Sequence, residues 1–147
     1  MDRKFYITSP IYYVNDKPHV GHAYSTIIAD TLARYHRALG DEVSFLTGTD
    51  ENSQKTVDAA QKSGEDIISY TDRLASVWKS AWQVLDISNT DFIRTTELRH
   101  KKIVEEFWKR LWDNGDIYKG RYEGLYCKGH EAFMKESDLV NGLCPDH

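Results

Sequence analysis

The chain has 147 residues, a formal net charge of −4, and a composition that is 40% hydrophobic, 12% aromatic and 29% charged. This length suits one domain with a small appendage, and the apolar content is enough for a core, which excludes a wholly disordered chain. The sequence pI of about 5.8 argues against a basic nucleic-acid-binding module as a whole. No apolar run approaches the roughly 20 residues that span a bilayer, and no apolar segment near the start resembles a secretory signal. We therefore expect a cytoplasmic protein with no membrane partner.

Strand and helix patterns alternate over residues 1–115. Short apolar or β-rich runs predict strands over residues 5–9, 43–47 and 92–95. Helical spacing of apolar residues predicts helices from 19 to 39, up to 64, from 67 to 85 and from 97 to 113. Strands separated by helices of this length indicate βαβ units, so we predict an α/β fold with a parallel sheet.

The first long helix has four apolar side chains at helical spacing, which places them on one face: Ile28, Leu32, Tyr35 and Leu39. Gly40 then suits the left-handed position that ends a helix. Four tryptophans at helical spacing are predicted to lie in the core rather than to serve as stacking platforms: Trp78, Trp82, Trp108 and Trp112.

A short histidine motif, His-Val-Gly-His at residues 19–22, follows a predicted strand and loop and opens the first long helix. The first turn of a helix offers free backbone N–H groups and a positive dipole end to an anion. Two imidazoles there add donors that can follow an oxyanion as charge builds on phosphorus. Gly21 has no Cβ, so a flat group could lie close to the backbone. Such histidines can also serve only packing or the surface, but the order strand, loop, helix favours phosphate handling.

Three runs, in order along the chain, resemble one enzyme family. They are residues 9–22 (SPIYYVNDKPHVGH), 45–51 (FLTGTDE) and 91–97 (DFIRTTE), the last followed by Arg99 and His100. The first run looks like the nucleotide-binding motif of the class I aminoacyl-tRNA synthetases. Together the three runs are similar to the methionyl-tRNA synthetase form, and the likeness covers essentially the whole chain.

This resemblance implies an ATP-dependent ligase of translation. In the family, methionine reacts with ATP, taken with Mg²⁺, to give methionyl-adenylate, and the methionyl group then passes to tRNA(Met). The resemblance also implies that residues 1–116 form the N-terminal half of a Rossmann-like catalytic domain. Residues 117–147 would then begin a connective insertion with a zinc knuckle.

The resemblance assigns ATP binding to His19, Gly21 and His22. The two histidines match residues that contact the ATP phosphates and stabilise the transition state at the α-phosphorus, so they are the expected catalytic residues. Gly21 matches the glycine beneath the adenine.

The resemblance assigns methionine binding to Ile11, Tyr13 and Asp50. An apolar wall with an aromatic face suits a polarizable thioether, and Asp50 would hold the substrate ammonium in a charge-assisted contact. From the residues alone, Ile11 and Tyr13 could equally be core residues at the sheet edge. Asp50 could likewise be only an N-cap for the helix that follows.

The sequence departs from the family pattern in two respects. Asn52 and Ser53 stand where the family continues with His-Gly, so Asn52 is assigned no catalytic role. The sequence also has no Lys-Met-Ser-Lys-Ser loop, no second half of the nucleotide-binding fold and no anticodon-binding domain. We therefore expect a piece of a longer protein that is inactive alone.

The last residues contain a paired C-x₂-H arrangement whose four possible metal ligands are Cys127, His130, Cys144 and His147. Two turns presenting two ligands each can close a tetrahedral zinc site, and metal binding would stabilise a module this small. A disulfide is possible on count alone, but a reducing cytosol favours a metal site or free thiols. In the family, cysteine commonly stands at the place of His130, and some relatives have a knuckle without metal.

Two other functions fit parts of this pattern. Another nucleotidyltransferase with the H-x-G-H motif would be complete at about this length, but such enzymes lack the Thr-Gly-Thr-Asp-Glu and Ile-Arg-Thr-Thr runs. A non-catalytic zinc-binding fragment is the other alternative.

Overall fold

The computed structural model describes residues 3–147. The chain divides into two compact units, Met1–Lys102 and Ile103–His147. Within residues 3–147, none of the helices has the length and apolarity needed to cross a membrane.

The first unit is built around a three-stranded parallel sheet in the order β1-β2-β3. The elements in chain order are β1 (Lys4–Tyr13), α1 (Val20–Ala38), β2 (Glu42–Asp50), α2 (Gln54–Ser63), α3 (Ile67–Val84), β3 (Asp91–Arg94) and α4 (Leu98–Asp113), which continues into the second unit. The predicted α/β fold with a parallel sheet is confirmed. Gly40 and Gly64 follow α1 and α2 with φ of 85° and 74°, as expected for glycines that end helices.

Strands β1 and β2 both extend beyond the predicted residues, and the extensions pair with each other. A register shift between Thr8 and Ile11 accommodates Pro10, after which the pairing resumes and ends with Tyr13 opposite Asp50. The predicted end of the first strand at residue 9 was wrong because proline is tolerated at such an irregularity, where no ladder hydrogen bond is needed from it.

One face of the sheet is covered by helices. Phe45 in β2 is fully buried against Ala29 and Ala33 of α1, and Tyr12 in β1 packs with Trp78 of α3. Side chains that point to the other face remain accessible, among them Tyr6, Ile11 and Tyr13. The site residues of β1 therefore lie on the uncovered face.

Helix α1 turns a different face to the sheet than its large apolar residues suggest. Its buried residues are Thr26, Ala29, Asp30 and Ala33, whose small or hydrogen-bonded side chains permit close approach. The face predicted from apolar spacing is at least 44% exposed at each of its positions: Ile28, Leu32, Tyr35 and Leu39.

The tryptophans behave differently in α3 and α4. Trp78 and Trp82 lie in the core, as predicted, with exposed fractions of 0% and 2%. The prediction was wrong for Trp108 and Trp112, which are 58% and 47% exposed, because the described residues place nothing over that face of α4.

The second unit contains the rest of α4 and a small turn-rich segment. Strands β4 (Leu125–Cys127) and β5 (Ala132–Met134) form an antiparallel hairpin. A 3₁₀ turn at Glu136–Asp138 and an isolated bridge between Val140 and Leu143 follow. In the first C-x₂-H pair, Cys127 ends β4 and His130 lies in the turn before β5. The second pair begins at Cys144, directly after the bridge.

Gly48 is required where β2 and β3 approach each other. A Cβ at this position would lie 2.0 Å from the Ile93 carbonyl oxygen and 2.6 Å from the Ile93 side chain. We expect Gly48→Ala to lower the free energy of unfolding by about 1–3 kcal/mol, because the strands must separate to admit the methyl group. Urea unfolding measures this change.

Gly120→Ala is the matched control, because a Cβ there meets its nearest neighbour at an ordinary 3.8 Å. An unfolding midpoint that is the same in Gly48→Ala and the unchanged protein would contradict the strand packing described here.

Candidate functional site

The two histidines of the H-x-G-H motif cap the start of α1. His19 is the N-cap residue, and its Nδ1 accepts a hydrogen bond from the Gly21 backbone N–H at 3.1 Å. Nδ1 of His22 accepts in turn from the His19 backbone N–H at 3.2 Å, and the two rings stack with centroids 3.7 Å apart. This reciprocal arrangement satisfies two backbone donors that a helix start otherwise leaves unpaired.

These bonds fix where the imidazole protons lie. Because Nδ1 of each ring is an acceptor, the proton of each neutral ring must be on Nε2. His19 and His22 therefore offer two Nε2–H donors at the positive end of the helix dipole, which is the arrangement that an oxyanion requires.

The ring of His22 is supported from behind by aromatic side chains. Its centroid lies 4.8 Å from both Tyr12 and Trp78. Burial lowers the pKa of His22 from its ordinary value of 6.5, and the neighbouring His19 lowers this pKa further. The neutral, hydrogen-bond-donating form of the ring is thereby favoured.

Helix α3 also fixes the loop that leads to the histidines. The Trp78 indole N–H donates to the Asp16 carbonyl at 3.2 Å, and the Tyr70 hydroxyl donates to the Asn15 carbonyl at 3.0 Å. Val14 is fully buried. The loop before α1 is thus fixed at residues 14–16, by burial at the first and by hydrogen bonds at the other two.

We expect the pKa of His22 to lie below 6.5 in the folded protein and to rise in His19→Asn, since Asn keeps a capping acceptor but removes the neighbouring imidazole. The lowered pKa also sets a direction for stability. The contribution of neutral His22 to the free energy of unfolding is complete above the pH at which the unfolded ring titrates, about 6.5. This contribution is lost as the pH falls below that value. An NMR titration of the His22 imidazole signals measures its pKa in the unchanged protein and in His19→Asn.

His36→Asn, at the opposite end of α1, should leave the His22 titration unchanged. A His22 pKa at or above 6.5 would contradict the buried, neutral ring.

The three residues assigned to methionine meet at the ends of adjacent strands. Tyr13 is paired with Asp50, and Ile11 is paired with Gly48, so all four positions lie on the same face of the sheet. Ile11 and Tyr13 are 41% and 40% exposed, which excludes the alternative that they are core residues of the described structure. Gly48 itself is buried, with Ile93 of β3 close against it.

Asp50 is the last residue of β2 and is not a helix cap. The N-cap of α2 is Ser53, whose hydroxyl accepts from the backbone N–H groups of Lys55 and Thr56. The Asp50 carboxylate instead accepts from the Asn52 backbone N–H at 3.0 Å. The capping alternative is therefore wrong for Asp50, and Asn52 contributes its backbone to the orientation of this carboxylate.

Sequence reasoning missed a buried ion pair between Glu51 and Arg94. Its two hydrogen bonds measure 2.6 and 3.0 Å, and the Glu51 side chain is fully buried. These bonds raise the pKa of Arg94, with a second contribution from Asp72. Both residues belong to the runs that resemble the family, but a charge in a motif gives no sign of burial before the fold is known.

In the second unit, the four predicted metal ligands lie together. The possible ligand atoms of Cys127, His130, Cys144 and His147 are all within 4.8 Å of one another. Nδ1 of His147 is 3.7 Å from the Cys127 sulfur and 3.6 Å from the Cys144 sulfur. Both cysteines are free thiols, so the disulfide alternative is not found.

The surroundings of this cluster suit a metal ion. A tetrahedral zinc ion with sulfur at about 2.3 Å and nitrogen at about 2.0 Å sets sulfur and nitrogen about 3.5 Å apart, close to the distances found here. Hydrogen bonding from the His130 backbone N–H lowers the pKa of the Cys127 thiol, which favours the metal-binding thiolate. Gly129 is required, because a Cβ there would lie 2.2 Å from the His147 ring.

Asp146 lies beside the cluster, with its carboxylate 3.1 Å from Nε2 of His130. When Nε2–H donates to this carboxylate, the lone pair of the ring is on Nδ1, the form that binds metals. The described residues therefore provide four possible metal ligands and one partner that could orient His130.

Comparison with solved structures defines the fold. Mycobacterium tuberculosis methionyl-tRNA synthetase in complex with methionyl-adenylate matches with a TM-score of 0.90 and 40% sequence identity, over 95% of this chain and 28% of that chain. The ternary complex of Agrobacterium radiobacter K84 LeuRS, tRNA and LeuAMS matches with a TM-score of 0.80 at 21% identity, over 95% of this chain and 18% of that chain. The fold is that of a class I synthetase catalytic domain.

The sequence specifies the family further. The family described as tRNA synthetases class I (M) matches residues 5–147, and the chain belongs to this family. Among its relatives are the methionine–tRNA ligases of Thermotoga maritima, 50% identical over 97% of this chain, and of Streptomyces coelicolor, 47% identical over 99%. The chain spans 23% and 29% of the lengths of these two relatives.

Proposed function

We propose that this chain provides the first nucleotide- and methionine-binding elements of a methionine–tRNA ligase that acts in the cytoplasm. The longer enzyme would activate methionine with ATP and transfer the methionyl group to tRNA(Met). The observation that carries this proposal is the placement of two Nε2–H donors, from His19 and His22, at the start of α1 after β1, the strand that ends with Tyr13 paired to Asp50. The M. tuberculosis neighbour, which holds methionyl-adenylate, supports the same substrate pair.

The histidine motif suits the ATP side of the reaction. When the methionine carboxylate attacks the α-phosphorus and the bond to the leaving pyrophosphate breaks, negative charge increases on the phosphate oxygens. The Nε2–H groups of His19 and His22 and the helix dipole stabilise that charge without reorganising, because the helix cap already orients both rings. Gly21, where a Cβ would lie 3.0 Å from the His19 ring, would lie beneath the adenine, and Mg²⁺ would arrive with the ATP phosphates.

The strand ends suit the amino-acid side. Ile11 and Tyr13 offer an apolar and an aromatic surface for the thioether, and Asp50 offers a carboxylate for the ammonium group. Parallel pairing places these three residues next to one another, so one small amino acid could contact all of them.

For the second unit, we propose a structural zinc ion held by the two thiolates and two imidazoles of the Cys/His cluster. The distances, the lowered Cys127 pKa and the contact between His130 and Asp146 support this assignment. Zinc bound there would stabilise the turn after β4 and the turn after the Val140–Leu143 bridge. In this proposal residues 117–147 begin the connective insertion, and residues 1–116 belong to the catalytic domain.

We expect the full-length protein to catalyse methionine-dependent exchange of pyrophosphate into ATP, and residues 1–147 alone to do so very weakly or not at all. His19→Ala in the full-length protein should lower the rate by about 10²-fold or more, the effect of removing one preorganised donor. The measurement is incorporation of labelled pyrophosphate into ATP at saturating methionine.

Val20→Ala, in the same motif with an exposed side chain, is a control that should keep the wild-type rate. Exchange driven by leucine or valine but not by methionine would contradict the substrate assignment. A wild-type rate in His19→Ala would contradict the role of that ring.

We expect protein purified without chelators to contain about one equivalent of zinc per chain. Cys144→Ser should lower this content strongly, because a hydroxyl is a poor replacement for a thiolate ligand. Elemental analysis measures the metal, and Ser137→Ala, in the same unit but outside the cluster, is the control. Less than a tenth of an equivalent in the unchanged protein would exclude the site.

A further inference from the structure

The strongest unassigned feature of the first unit is the Glu51–Arg94 pair, which lies next to the proposed ammonium-binding residue. The carboxylate of Glu51 accepts two hydrogen bonds from Arg94 and one from Thr49, the last at 2.9 Å. The Thr96 hydroxyl donates to its second oxygen. A fully buried carboxylate with all of these partners is held in one position, since any displacement would leave buried charge unpaired.

The same region fixes the backbone on both sides of Asp50. The Thr49 carbonyl accepts from the Thr95 backbone N–H at 3.2 Å, and the Glu51 backbone N–H donates to the Thr95 hydroxyl at 2.8 Å. Asp50 therefore lies between two residues that are both hydrogen-bonded to Thr95, the residue directly after β3. Its carboxylate is oriented by the Asn52 N–H on the accessible side.

Arg94 extends this support to α3. Its guanidinium also contacts Asp72 at 2.6 Å, and Asp72 lies six residues before Trp78, whose ring packs against His22. Helix α3 thus contacts both Arg94 and the ring of His22.

We propose that Glu51 and Arg94 are positioning residues, which hold the Asp50 carboxylate at the place where it meets the ammonium group of the substrate amino acid. This inference rests on the proposed function. It assigns to the buried pair an effect on amino-acid affinity that a purely stabilising ion pair would not have. An ion pair that only stabilises the fold would change the fraction of active enzyme and leave the Michaelis constants of both substrates unaltered.

The test uses the full-length protein in the pyrophosphate exchange assay, with methionine and ATP varied separately. In Glu51→Gln the side chain keeps its size, and Arg94 keeps Asp72 as a charged partner, so the fold should survive. We expect the KM for methionine to rise by roughly tenfold, the effect of weakening one contact to a charged group, while the KM for ATP stays within about twofold. Thermal unfolding shows that the variant is folded at the assay temperature.

A gentler pair of variants keeps the proposal testable if Glu51→Gln does not fold. Thr96→Val removes one hydroxyl donor to Glu51 with little change in volume, and Thr96→Ser restores that donor. We expect the KM for methionine to rise in the first and to return towards the wild-type value in the second.

Arg99→Gln is the matched control, because Arg99 makes an exposed ion pair with Asp91 near the same strand. It should leave both Michaelis constants unchanged. A lower kcat with both KM values unchanged in Glu51→Gln, or an equal rise in both, would overturn the positioning role. Failure of the proposed function would be seen separately, as wild-type protein that shows no exchange with methionine.

Discussion

Parallel pairing of β1 with β2 is the constraint on which the site depends. Parallel strands end at the same edge of a sheet, so the chain that leaves β1 and the chain that leaves β2 begin side by side. Tyr13 and Asp50 are the last pair of this ladder. The loop after β1 leads into α1, and the histidines therefore start their helix near the same edge, as ligand sites in open α/β sheets do.

Burial then determines which polar groups are fixed and which are available. Thr26, Thr47 and Thr49 are fully buried, and the hydroxyl of Tyr12 contacts Ser25 and Thr26. These polar groups stiffen the side of the sheet that faces the helices. Ile11 and Tyr13 lie on the opposite side of the sheet, where their side chains are 41% and 40% exposed.

Much of this architecture could be predicted from local patterns. Gly40 and Gly64 indicated helix ends because glycine adopts a left-handed backbone without steric strain, and both glycines have positive φ. The ends of β1 and β2 were missed because they depend on each other: Pro10 looks like a turn residue until a partner strand is present. The buried face of α1 was missed for a related reason. Small residues such as Ala29 and Ala33 let the helix pack closely against the sheet, and this requirement does not show in a pattern of large apolar residues.

The functional residues also divide into those that local sequence patterns reveal and those that only the fold brings together. The histidine motif and the paired C-x₂-H turns were recognisable because their ligands are close in sequence. The Glu51–Arg94 pair was not, because its members lie 43 positions apart and only the sheet register brings them together.

A single imidazole ring performs two tasks in the cap of α1. One nitrogen accepts a hydrogen bond from a backbone N–H and so stabilises the helix start, while the other nitrogen carries a proton that it can donate. Lysine could supply only the second, whereas a flat ring with one acceptor nitrogen and one donor nitrogen at fixed separation supplies both at once. Acid that charges either imidazole would therefore loosen the first helical turn and change the anion site in the same event.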